Sequence, residues 1–390
     1  MKHKDLSHTC IRDEMLTPLC TYLTIANIKH LTIAYGVRFQ HEIIKQIINR
    51  VAAIGIPHEV IKKIGTDTII VETIKTANHS HIEKILRISS SFYKKPISVE
   101  SVEIIPCIRT GIINRNNFEL LSPSETGEFF ATQEEIVPPL RSDPWRIEYI
   151  KSMNEAVQFY KQNQPQNFRF MPVSFSKKPD TPLFHEMLPF WTNPKGTNYI
   201  ISKLEKTGTT SELEKTSIKN AINLISHAEP ENISTNISPQ NFHSTQDWEE
   251  ILESVWKLPR EKREKLFLSI AETSEIKHRS TNNEKKLLVK LKEAGCTFVL
   301  NNFGKDSSGF RNLDFFSPDI IKIDATYMHN ARADKNGKRK LESLVKFCKS
   351  TSIHCAVGGV ETTSDLELAK DIGADLVQGY LLNSYQPKST

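Results

Sequence analysis

The feature that most constrains this chain is an alternation that fills its C-terminal half. Short β-rich runs at Ile233–Ile237, Leu266–Ala271, Thr297–Asn301, Ile320–Asp324, His354–Gly358 and Leu376–Tyr380 are separated by amphipathic stretches at 211–227, 246–257, 283–294, 338–350 and 364–371. Each helix-period stretch must bury its apolar stripe against a sheet, and repeated βα units of this size predict a (β/α)8 barrel. Barrels of this kind carry their chemistry at the C-terminal ends of the strands. Most polar residues that break the apolar runs fall at those ends, the adjacent pair Asn301-Asn302 among them.

The N-terminal half has another rhythm. Tyr22–Ala26 is β-branched and apolar, and Phe39, Ile43, Ile44, Ile47, Ile48 and Val51 recur at helical spacing. Gly55-Ile56-Pro57 stops that helix. A strand over His58–Ile64, a turn at Gly65-Thr66-Asp67 and a returning strand at Thr68–Val71 make a hairpin, followed by an amphipathic stretch over 80–94 and an extended Ser98–Gly111. This order predicts a ferredoxin-like α+β sheet. With 390 residues the chain has room for two such domains.

Composition excludes several classes. At 38% hydrophobic and 25% charged, with a net charge of +5, the chain reads as globular, with no basic run interleaved with aromatics to suggest direct nucleic-acid binding. The densest basic cluster, Lys335–Lys340, is expected to be a solvated loop. No apolar run is long enough for a membrane span, and the N-terminus lacks a signal-peptide core. The six cysteines show no metal spacing, so reduced thiols in a cytoplasmic protein are expected.

Motifs in the C-terminal half carry a resemblance. Pro194-Lys195-Gly196, Leu204-Glu205-Lys206-Thr207-Gly208, Asn236-Ile237-Ser238-Pro239, Lys322-Ile323-Asp324, Gly359-Val360-Glu361-Thr362 and Gln378-Gly379-Tyr380 occur in the order found in EAL-domain phosphodiesterases of cyclic di-GMP. The likeness spans nearly all of 172–387 and implies an EAL-type barrel over 172–390. It places Glu186 at the glutamate of the EAL motif, Asn236 at a metal-binding asparagine, Glu272 at a loop-anchoring glutamate, Lys322 at the site lysine and Gln378 at a site glutamine; Glu361 lies in a retained signature. The likeness also exposes losses. The family's second metal glutamate is Ser269, its aspartate pair is Asn301-Asn302, its general base is Gly358 and its phosphate-gripping arginine is Phe190.

The N-terminal half, residues 1–171, resembles a GGDEF diguanylate cyclase domain. Lys29, Gly36, Gly65 and Asp67 match, whereas Thr24, Ala26 and Thr68 occupy acidic positions. Residues 113–145 read as an inserted loop, with Ala156–Lys161 and Phe168–Phe170 as the domain's last helix and strand.

These resemblances imply a bacterial signalling protein, and the losses bear on catalysis. Mg²⁺ binds through carboxylates and is poorly held by amides. Without a metal, water keeps its bulk pKa of about 15.7 rather than falling towards ~7. The leading expectation is therefore a non-catalytic regulator, degenerate in both domains, acting through protein–protein interaction. The alternatives are a cyclic di-GMP receptor that does not hydrolyse, and a weak phosphodiesterase with an altered metal site. No cofactor is expected under the first reading; the third requires weak Mg²⁺ or Mn²⁺ binding. Glu186 and Lys322 are a candidate salt bridge in place of the metal, and a homodimer is compatible with the family.

Overall fold

The computed structural model describes residues 19–72, 84–114, 143–162, 167–191, 196–227, 231–237, 245–271, 282–305, 313, 316–351 and 353–382. The chain divides into two compact units, one of residues 1–89 and 108–142, the other of 90–107 and 143–390.

In the first unit, β1 (Leu19–Ile25) pairs antiparallel with β3 (Thr68–Glu72) on one side, and β3 pairs with β2 (Ile61–Ile64). The helix Val37–Ala52 buries Phe39, Ile43, Ile44, Ile47 and Val51, the periodic stripe read from the sequence. The strand expected over His58–Ile64 is shorter, because His58–Val60 forms a 3₁₀ turn after Pro57. The extended stretch 98–111 divides in two: β4 (Ile97–Val99) and β5 (Val102–Ile104) make their own hairpin in the second unit, and β6 (Ile108–Asn114) pairs with β1. The resulting sheet order, β2-β3-β1-β6, makes β3 and β1 the inner strands. Most of the expected inserted loop, 115–142, lies outside the described residues.

The second unit is built on a closed barrel of eight strands. They are β7 (Asn167–Phe175), β8 (Lys178–Phe190), β9 (Ile233–Ile237), β10 (Leu266–Ala271), β11 (Thr297–Phe303), β12 (Ile320–Ile323), β13 (His354–Val357) and β14 (Leu376–Val377). From β8 to β14 neighbours run parallel. β7 is antiparallel to both β8 and β14. The expected EAL-type barrel is present, with one strand running against the others: a tight hairpin joins β7 to β8, and antiparallel strands need no helical crossover. The expected boundary at 171/172 falls inside β7, and Phe168–Phe170 belong to the barrel rather than to the N-terminal sheet. The helix Asp143–Lys161 packs with the barrel as well, through Ala156 against Trp191, Ile200 and Leu204.

The barrel interior is layered. Val173, Phe184, Phe267, Val299, Ile320, Ala356 and Leu376 form a buried apolar cluster contributed by seven strands. Strand side chains alternate faces with a period of two. The next inward positions towards the C-terminal ends of the parallel strands are therefore Glu186, Ser269, Asn301, Lys322, Gly358 and Gln378. An apolar floor thus carries a polar layer. The basic cluster at 335–340 is a helix start rather than a loop: Asp334 caps Lys335–Ser350 by accepting from the Gly337 N–H at 2.6 Å. Trp191 and Trp248 are core residues, whereas Trp256 is exposed and carries the Arg263 guanidinium over its ring.

Candidate functional site

Glu186 stands at the centre of the polar layer and is only 3% exposed. Lys322, from the opposite side of the barrel, donates to its Oε2 at 2.7 Å and to Gln378 Oε1 at 2.9 Å. Gln378 Nε2 donates to Glu186 Oε2 at 2.8 Å, closing a three-membered ring of hydrogen bonds. Asn301 Nδ2 donates to the other carboxylate oxygen at 3.1 Å and reaches Asn236 Oδ1 at 3.5 Å. The carboxylate is therefore held by an ammonium and two amides. Burial pushes its pKa up, but the Lys322 charge and the bonds from Lys322, Gln378 and Asn301 outweigh that and hold it below the usual glutamate range.

Asn301 also accepts from the Asn302 N–H at 2.9 Å, so its amide donates at one end and accepts at the other. A carboxylate at 301 has no donor to offer Glu186. Asn302 takes a left-handed backbone conformation, φ +59°, where the register between β11 and β12 shifts. Asparagine tolerates that conformation better than most residues, and bulges of this kind re-aim side chains at strand ends. Ser269 bonds Ser234 at 2.7 Å inside the barrel wall, so two hydroxyls satisfy one another there. A Cβ on Gly358 would sit 3.1 Å from the Ile323 carbonyl oxygen, a tight approach to the neighbouring strand.

The structure brings Glu186, Asn236, Asn301, Lys322 and Gln378 together. Glu361 is not with them: Arg332 binds it at 2.8 Å and His329 lies 3.4 Å from it. Arg332 also grips both oxygens of Asp365 and the Gly359 carbonyl, so Glu361 belongs to a strut bracing the loop after β13. Glu272 lies outside the described residues. Among the described residues no group of three or more His, Cys, Asp or Glu converges as a metal site would.

Phe190, at the end of β8, lies under the guanidinium of Arg169 from β7, 3.5 Å from carbon to ring centroid. Sequence reading missed Arg169; the alternation Asn167, Arg169, Met171 along β7 was the available signal.

In the N-terminal sheet, the Thr24 and Thr68 hydroxyls face each other at 3.4 Å where acids are expected by resemblance. Asp67 accepts from the neighbouring Thr68 Oγ1 at 3.0 Å in the turn opened by Gly65. Ala26 is buried.

Comparison with known proteins places this geometry. The model of the EAL domain matches residues 155–384. The chain belongs to the EAL domain family. EAL-domain relatives include the cyclic di-GMP phosphodiesterase PdeL of Escherichia coli K12, 29% identical over 138 residues, 35% of this chain and 37% of PdeL. The cyclic di-GMP phosphodiesterase RocR of Pseudomonas aeruginosa is 26% identical over 123 residues, 32% of this chain and 31% of RocR. This EAL protein thus aligns with about a third of the length of either relative. Among solved structures, the FimX EAL domain from Pseudomonas aeruginosa bound to c-di-GMP superposes with a TM-score of 0.50 at 20% identity, over 60% of this chain and 95% of that one. Vibrio cholerae LapD S helix-GGDEF-EAL, bound to c-di-GMP, gives a TM-score of 0.50 at 15% identity, over 95% and 90%. At such identities these likenesses concern the fold. No helix among the described residues is long and apolar enough to cross a membrane.

Proposed function

We propose that this EAL-family chain is a non-catalytic regulator of cyclic di-GMP signalling that acts by binding another protein in the cytoplasm. One observation carries the reading: the carboxylate at the barrel centre is already neutralised, with the Lys322 ammonium 2.7 Å from Glu186. A hard divalent cation at this place requires several oxygen ligands bearing negative charge. The described donors are one lysine-bound carboxylate, the amides of Asn236 and Asn301 and the hydroxyl of Ser269, which do not fit such an ion. With Gly358 at the position of the family's base, no group among the described residues of the layer stands ready to take a proton from water. The N-terminal unit, read as a degenerate GGDEF domain, supports the same reading, since the Thr24 and Thr68 hydroxyls face each other at its acidic positions.

The test is turnover. Purified protein incubated with cyclic di-GMP and Mg²⁺ or Mn²⁺ at high enzyme concentration is expected to yield no linear dinucleotide. Metal-dependent hydrolysis that disappears in Glu186→Gln would overturn the reading. A pull-down from native cytosol, compared with a chain of scrambled surface charge, identifies the partner, and sedimentation reports whether the protein is a homodimer.

A second reading is binding of cyclic di-GMP without hydrolysis. It is supported by the same substitutions, since amides at 301 and 302 remove charge that would repel a phosphate. FimX and LapD, which share this fold, bind that dinucleotide in their solved structures. Calorimetry with the dinucleotide separates the two readings.

A further inference from the structure

We propose that Arg169, stacked on Phe190, is an anion-binding residue at the mouth of the barrel, shaped to take the non-bridging oxygens of a nucleotide phosphodiester. The inference rests on the second reading above and gives it a residue.

The strand register places the pair. β7 runs antiparallel to β8, with Met171 opposite Glu186, Arg169 opposite Leu188 and Asn167 opposite Phe190. Residues directly opposite one another in an antiparallel pair project from the same face. Arg169, Leu188 and Phe190 therefore share the inward face that carries Glu186, and they lie further towards the open end. At about 3.3 Å per residue, Phe190 stands roughly 13 Å beyond Glu186 along the strand. The antiparallel course of β7 is what delivers Arg169 here, since a parallel first strand would put this part of its sequence at the closed end.

The chemistry of the pair follows from its geometry. The guanidinium carbon lies 3.5 Å from the Phe190 centroid, so the ring covers one face of the cation. Stacking leaves the in-plane N–H groups pointing outwards, and a planar fork of donors matches two phosphate oxygens. Among the described residues Arg169 has no carboxylate partner, and it is exposed. Lys322 cannot serve in its place: it is buried, and Glu186 and Gln378 already bind its ammonium. The substitution that removes a cation at 190 thus installs an aromatic shelf that holds a cation from the neighbouring strand.

The test is equilibrium binding of cyclic di-GMP and of inorganic phosphate to the full chain, by calorimetry at two salt concentrations. The expected result is dinucleotide binding that weakens with salt, falls about tenfold or more in Arg169→Gln, and is only partly restored in Arg169→Lys, which keeps charge without the fork. Phe190→Ala is expected to weaken binding several-fold by freeing the guanidinium from its shelf. Unliganded melting temperatures of the Arg169 variants are expected to match the parent. Binding to Arg169→Gln equal to the parent overturns the inference. So does an absence of binding to the parent at millimolar dinucleotide, a result that leaves the non-catalytic regulator standing. Inorganic phosphate binding as tightly as the dinucleotide also overturns it, by pointing to a bare anion site.

Discussion

A single lysine decides the electrostatics of this barrel. Lys322 and Glu186 are each less than a tenth exposed and meet at 2.7 Å. Removing one member of such a pair strands the other as an uncompensated buried charge, whereas removing both costs far less. Lys322→Met is therefore expected to destabilise the fold by about 3–5 kcal/mol. The double variant Glu186→Gln/Lys322→Met should lose much less than the sum of the two single changes. Urea denaturation of the four proteins measures the coupling, and additive losses would mean that the pair is not a unit. The same residues were legible as candidates from their motifs. Their mutual arrangement was not, because Glu186 and Lys322 are 136 positions apart and nothing local to either specifies the other.

At the scale of the element, the helix Thr363–Asp371 shows how a loop is fixed by its cap. Thr362 and Asp365 form a reciprocal capping box, and Asp365 also receives two bonds from Arg332. Burial pushes the Asp365 carboxyl up, but the Arg332 bonds and the backbone N–H groups of Glu361 and Thr362 prevail and hold its pKa at about 2. A depressed carboxylate binds fewer protons folded than unfolded, so its stabilisation is present above the unfolded value, about 3.9, and is lost as pH falls towards about 2. The cost of Asp365→Asn should thus be largest near neutrality and shrink steadily between pH 4 and 2. Thermal melts of both proteins across that range check it, and a cost independent of pH would contradict it. Glu361, grouped with the site from its motif, proves to be part of this strut. The sequence signature was real, but Arg332, on a neighbouring helix, decides which way the carboxylate faces.

At the scale of the molecule, the barrel draws on more of the chain than its repeat suggests. The period-two and period-3.6 patterns located β9–β14 and their helices, whereas β7 and β8 escaped because a long hairpin lacks a helix between its strands. Asn167–Met171 pair with Glu186–Phe190, and the helix Asp143–Lys161 covers Trp191. A fragment beginning at residue 172 removes both, leaving the C-terminal half of β8 without that partner. It is expected to be insoluble or to melt without cooperativity, while the full chain gives a cooperative calorimetric transition for the barrel. A soluble, cooperatively melting 172–390 fragment would refute the assignment of β7 to the barrel.

What the chain's residue order determined by itself was periodicity and charge inventory: where β9 to β14 and the helices between them run, and which positions carry charge. Those are local properties, carried by neighbours three or four residues apart and by the identity of each side chain. What only the tertiary structure decided was partnership: Lys322 with Glu186, Arg332 with Glu361, Arg169 over Phe190. A long charged side chain settles on whichever counter-group or ring comes within a few ångströms, and that distance is set by strand direction and barrel closure, which no short stretch of sequence encodes.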